Sequence, residues 1–210
     1  MTRTPRTLRG AIVAVDRSGP PSRIVVFQYN PDEVSRTVQP REGGGSGNES
    51  RRAWGAPSET VSMTVELDAT DQLGAGDPVA AATGILPALS VLEMLLHPSS
   101  GQIIANTVLL AAGTVEILPP KPPTAILVWG PARVVPVKLT NLQITEQAYS
   151  PALVPIRASV EIGADVLTYE DLPLTDLGFG LSVAHLVAKE VLAVAGGAAG
   201  AGAAIADLVG

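Results

Sequence analysis

Two histidines, no cysteine and three pairs of neighbouring carboxylates make up most of what could do chemistry in this 210-residue chain. With no thiol there is no disulfide framework, thiolate zinc site, iron–sulfur cluster or cysteine nucleophile. His97 precedes Pro98 at the end of an expected helix, where a cationic side chain suits the helix dipole, so its expected role is structural. His185 lies between Ala184 and Leu186 in an expected terminal helix and reads as a surface or packing residue. The acid pairs are Asp32 with Glu33, Glu66 with Asp68, and Glu170 with Asp171. Of these, Glu66 and Asp68 stand two apart on an expected strand and share a face, a geometry that acid–base chemistry or cation binding could use. The same placement is also the ordinary solvated face of an amphipathic strand. Asp68 to Asp71 lacks the calcium-loop spacing, and no Gly-x-Ser-x-Gly occurs. Glycine runs at 43–47 and 196–202 lie outside any strand–helix unit, and no Lys-Ser/Thr follows them, so they do not read as phosphate loops. The expectation is therefore no catalytic residue, no cofactor and no metal.

Composition points the same way. The net charge of −6 divides unevenly: residues 1–52 hold nine arginines against five acids, and the rest of the chain is strongly acidic. Arg3, Arg6, Arg9, Arg17, Arg23, Arg36 and Arg41 are dispersed among apolar residues rather than clustered. Aromatic side chains number seven, too few and too scattered to stack the bases of a single strand. The arginines read as a solvated or subunit-contacting face, and no nucleic-acid partner is expected. The polar opening, Met1 to Arg9, does not resemble a secretory signal.

The elements that must position these residues follow from periodicity. Residues 9–16 and 23–30, rich in Ile and Val around a Gly-Pro-Pro break, predict an antiparallel hairpin. Asn30-Pro31 ends its second strand, and Pro31 to Val34 reads as a turn entering a short irregular segment. Residues 41–58 form a Gly-rich loop, and 59–69 alternate cleanly between polar and apolar. Asp77 and Pro78 open an expected helix over 78–96, with Leu89, Leu92, Leu95 and Leu96 on one face and a kink or split at Pro87. Residues 103–112 fit either a strand or a short helix. A proline run at 119–123 leads to three more expected strands over 124–129, 133–146 and 153–162. This is a mainly β (α+β) pattern: a barrel or sandwich with one flanking helix, followed by a C-terminal helical Ala/Gly-rich tail. The uncharged run 191–206 falls short of a membrane span, so stable membrane insertion is not expected. Two divisions result, a domain at 1–177 and a helical extension at 178–210.

Three ordered pieces carry a further signal. They are Phe27-Gln28-Tyr29-Asn30-Pro31-Asp32-Glu33-Val34; the alternating run Glu59 to Asp68; and Trp129-Gly130 with residues 137–147 and Pro155-Ile156-Arg157-Ala158-Ser159-Val160 after it. Their order over residues 9–172 resembles the tube-initiator proteins of contractile injection systems, phage-tail-like particles whose baseplate carries a LysM-associated tube protein. The resemblance implies a tail-tube fold that assembles as a homo-hexameric ring and joins the inner tube to the spike hub. Implied partners are further copies of the chain, the inner tube protein, the spike or hub protein and other baseplate proteins. The implied location is the cytoplasm, within a particle that can be released. It also marks Phe27, Tyr29, Asn30, Pro31, Glu66, Asp68, Trp129, Gly130 and Arg157 as family-motif or assembly positions. Relatives often continue into a LysM module; residues 178–210 are Ala/Gly-rich instead, so peptidoglycan binding is not carried over. A tail tube or assembly protein of a true bacteriophage, a β-barrel ligand carrier and a membrane-associated protein stay open beside this reading.

Overall fold

A computed structural model describes residues 8–15, 21–41, 55–113 and 123–209 of the chain, with side chains described up to residue 197. Most of the Gly-rich loop, the turn of the first hairpin and most of the proline run lie outside the described residues. Seven strands are β1 (Ala11–Val15), β2 (Pro21–Val26), β3 (Val34–Gln39), β4 (Ser58–Asp68), β5 (Thr124–Val128), β6 (Val134–Tyr149) and β7 (Pro155–Val166). They form one antiparallel sheet in the order β2-β1-β5-β6-β7-β4-β3. Four helices, α1 (Thr70–Gly74), α2 (Pro78–Thr83), α3 (Leu86–Glu93) and α4 (Ser100–Ala111), follow β4, and α5 (Leu177–Val209) ends the chain.

The sheet's alternation places the core. Glu59, Val61, Met63, Val65 and Leu67 of β4 are all buried, while Ser58, Thr60, Ser62, Thr64 and Glu66 face outward. Ala158, Val160, Ile162 and Ala164 of β7 continue the same apolar layer across the register. Leu89 and Leu92 of α3, with Leu95 just after it, pack into that layer, each about 2 kcal/mol of burial by the usual transfer figures. Leu96, expected on the same stripe, is instead 40% exposed. Phe27 is fully buried, and its ring centroid lies 6.3 Å from that of Trp129.

Several elements differ from the sequence expectation. Residues 34–39 form an edge strand rather than an irregular segment, because pairing with β4 satisfies their backbone on one side. The helix expected over 78–96 with a kink or split at Pro87 is split into α2 and α3, but earlier, and a short α1 precedes them. Gly84 makes the break: its φ is +54, and a Cβ there would stand 2.1 Å from the Pro155 carbonyl oxygen. Pro87 sits in the first turn of α3, where a proline is tolerated, so it starts the helix and kinks nothing. Asp77 caps α2 as expected, its carboxylate accepting from the Val79 N–H at 2.8 Å. The ambiguous stretch after residue 102 lies in a helix, α4. The expectation of one flanking helix is thus replaced by a run of four.

Candidate functional site

The nine positions marked by the sequence fall into three places. At one end of the sheet, Phe27 and Trp129 close over Gly10, where a Cβ would lie 2.7 Å from either ring. Asn30 ties this corner together: its Oδ1 accepts from the Gly10 N–H and its Nδ2 donates to the Leu8 carbonyl, both at 2.8 Å. Trp129 N–H bonds the Arg133 carbonyl at 2.7 Å across the β5–β6 turn, and Gly130 supplies the turn's positive φ of +73. Phe27, Asn30, Trp129 and Gly130 are therefore the fittings of a strand corner.

The second place is the β4–β7 ladder, where Asp68 and Arg157 stand opposite one another. Arg157 Nε donates to Asp68 Oδ2 at 2.8 Å, and the Thr70 backbone N–H donates to Oδ1 at 2.7 Å. The Thr70 hydroxyl also donates to Oδ1 and is the main reason the Asp68 carboxyl sits below its ordinary value. With Thr70 and Arg157 on its oxygens, Asp68 is a capping and ladder residue. Glu66 stays on the outer face and does not act with it as a carboxylate pair.

The third place is an open groove of about 590 Å³ on the outer face. Tyr29, Asn30, Pro31 and Glu66 reach its rim together with Asp32, Glu33, Asn141 and Glu161. The groove is polar and acidic, and it continues the outward row of Ser62 and Thr64. Among the described residues no group of three or more His, Asp or Glu could hold a metal ion.

A charged cluster under α5 was not visible from the sequence. Glu59, the one buried charged side chain among the described residues, sits on β4 and is only 8% exposed. Arg36 Nε of β3 donates to its Oε1 at 2.7 Å, and Lys189 Nζ of α5 donates to its Oε2 at 2.9 Å. Burial pushes the Glu59 carboxyl up, but the two cations more than reverse this and hold it below its ordinary value. His185, one helical turn before Lys189, has both ring nitrogens sealed from solvent and without a hydrogen-bond partner. Between α5 and the sheet lies a cavity of about 180 Å³ walled by Glu59, His185, Lys189, Val135, Leu167 and Tyr169. No local signal marks this cluster, because Glu59 and Lys189 are 130 positions apart.

The helices also leave a large apolar surface uncovered. No residue of α4 is buried, and Ile103, Ile104, Val108, Leu109 and Leu110 are 50–64% exposed. On α5, Val191, Leu192 and Val194 are 61–74% exposed. The stretch Leu177–Gly197 is long and apolar enough to cross a membrane by length and composition alone. Lys189 and Glu190 fall inside it, however, and Lys189 is paired to the sheet.

No protein-family model matches the chain, and no curated protein is significantly similar to it.

Proposed function

We propose that the chain is a structural assembly subunit, a ring-forming tube-initiator or baseplate tube protein of a phage-tail-like contractile injection particle. In this reading the seven-stranded sheet is a tail-tube-like barrel wall, and six copies close a ring between the spike hub and the inner tube. The motif order described above supports the family. One structural observation carries the assembly role: α4 is a twelve-residue helix with no charged residue and no buried one. Single soluble chains rarely leave such a contiguous apolar surface facing water, whereas subunits of assemblies do so at their contacts.

The two sheet edges sharpen where those contacts lie. Arg23 on β2 is registered with buried Ala14 and reaches the Met94 carbonyl at 3.1 Å. Arg36 on β3 is registered with buried Val61. An inward-facing charge on an edge strand discourages unspecific edge pairing. Contacts between copies are therefore assigned to the apolar helices in preference to open strand edges. The outer face of β4 and β7, with Ser62, Thr64, Glu66, Ser159 and Glu161, is polar and carries small side chains, which suits a surface that stays wet in the assembled ring.

Co-expression with candidate tube and hub proteins from the same genome, followed by negative-stain imaging, tests the reading. Rings bound to tube or hub support it; a chain that stays monomeric and binds neither overturns it. A sheath and spike beside capsid genes would instead place the same subunit in a true bacteriophage tail.

A further inference from the structure

His185 is a half-buried titratable group, its ring nitrogens sealed from solvent, that neither the fold nor the assembly reading uses. A histidine whose nitrogens are both closed off and unpartnered is rare in a folded chain, because each lost hydrogen bond to water goes uncompensated. Its surroundings are cationic on balance. Lys189 lies one turn along the same helix and Arg36 comes from β3, while Glu59 from β4 is the one anion among the groups acting on it. Tyr169, in the turn after β7, shares the cavity. The strand β6 contributes only Val135 and Pro136 there.

We propose that α5 is a proton-operated latch: with His185 neutral the helix rests on the sheet through the Lys189–Glu59 pair, and protonation of His185 drives it off. The Glu59 carboxylate is already shared by Arg36 and Lys189. A third cation in the same cavity finds no free carboxylate there and repels Lys189 at the i, i+4 spacing. Swinging α5 outward lets the imidazolium reach water. The first turns of α5 lie against the sheet, Gly178 on Pro136 and Leu172, with Ser182, His185 and Leu186 along the cavity, while residues 189–197 are exposed.

Burial, with Lys189 next, pulls the His185 pKa below its ordinary 6.5. For a group so depressed, docking is fully stable above pH 6.5 and weakens as the pH falls below it. Glu59 is held below its ordinary 4.5, so it stays ionised through that window and cannot be the trigger. One proton is taken up on opening, so the open-to-docked ratio rises by up to about tenfold per pH unit.

The chain has no cysteine, so spin labels attach only where cysteines are introduced. Labels at Ser62→Cys and Val191→Cys, in chains diluted into unlabelled protein, report α5 within single copies whether or not rings form. The expected result is one distance at pH 7.5 and a second, longer population at pH 5.5. His185→Phe should keep the pH 7.5 distribution at both values. His185→Gln, which takes up no proton in this range, should do the same and decides the question if His185→Phe fails to fold. An unchanged distribution in the parent chain, or the same opening in parent and variants, overturns the proposal.

Discussion

Replacing Asn30 by alanine tests whether this motif residue is a clamp or an assembly contact. Its amide makes two 2.8-Å hydrogen bonds to the backbone at Gly10 and Leu8, some twenty residues earlier in the chain. Gly10 is buried beneath Phe27 and Trp129, so its N–H has no ready substitute in water. Leaving a buried donor unpaired costs about 1–3 kcal/mol, and the exposed bond to Leu8 adds about 0.5 kcal/mol. The sum is about 1.5–3.5 kcal/mol, which at a urea slope of about 2 kcal/mol/M lowers the midpoint by about 0.8–1.8 M. The assay is urea unfolding at one fixed protein concentration, since association would shift the midpoint by mass action. Asn30→Asp keeps the acceptor for Gly10 and loses only the donor to Leu8, so it should lose less than half as much. A cost below about 0.5 kcal/mol for Asn30→Ala, or an equal cost for both variants, would refute the clamp.

Other outcomes follow from the same geometry. Gly84→Ala places a Cβ against the Pro155 carbonyl at a positive φ and should cost about 3 kcal/mol or more, read as a fall in Tm of at least about 6 °C or as insoluble expression. Glu59, Asp68 and Asp171 all have carboxyls held below their ordinary values. Stability from such groups is complete above those values, 4.5 for Glu59 and 3.8 for the aspartates, and is lost as the pH falls through the lower folded ones. Glu59→Gln should therefore flatten the acid limb of a stability–pH curve and cost about 1–2 kcal/mol at pH 7, because Arg36 and Lys189 lose their counter-ion while staying partly solvated. Ile104→Glu together with Val108→Glu alters only exposed positions, so unfolding should move by less than about 0.5 kcal/mol. The same pair should abolish ring formation, as seen by light scattering or imaging.

How far the chain could be read in advance depended on where each residue's partners lie. The β4 alternation is legible because one strand buries one face, so its pattern needs no knowledge of the neighbours. Asp77 is equally local, a cap two and three residues from its donors. The edge strand β3 was missed because it has no buried residue to create a pattern; only its ladder to β4 makes it a strand. The helix break was assigned to Pro87 by local rules, whereas it belongs to Gly84, whose constraint is the Pro155 backbone seventy residues later. Asp68 and Glu66 fit either an acid pair or the ordinary solvated face of a strand in the sequence, and Arg157 and Thr70 on the Asp68 oxygens separate the two. His185 looked like a packing residue on a terminal helix, and the ion pair that surrounds it with charge joins segments 130 positions apart.

The measurement that bears most directly on the assembly role is the mass and symmetry of the particle this 21.5-kDa chain forms when purified with candidate tube and hub proteins from the same genome. Light scattering and class averages from electron micrographs give both. The assembly reading expects six copies in a closed ring, attached to tube or hub and lost on charging α4. A monomer at every concentration that binds neither protein would contradict it.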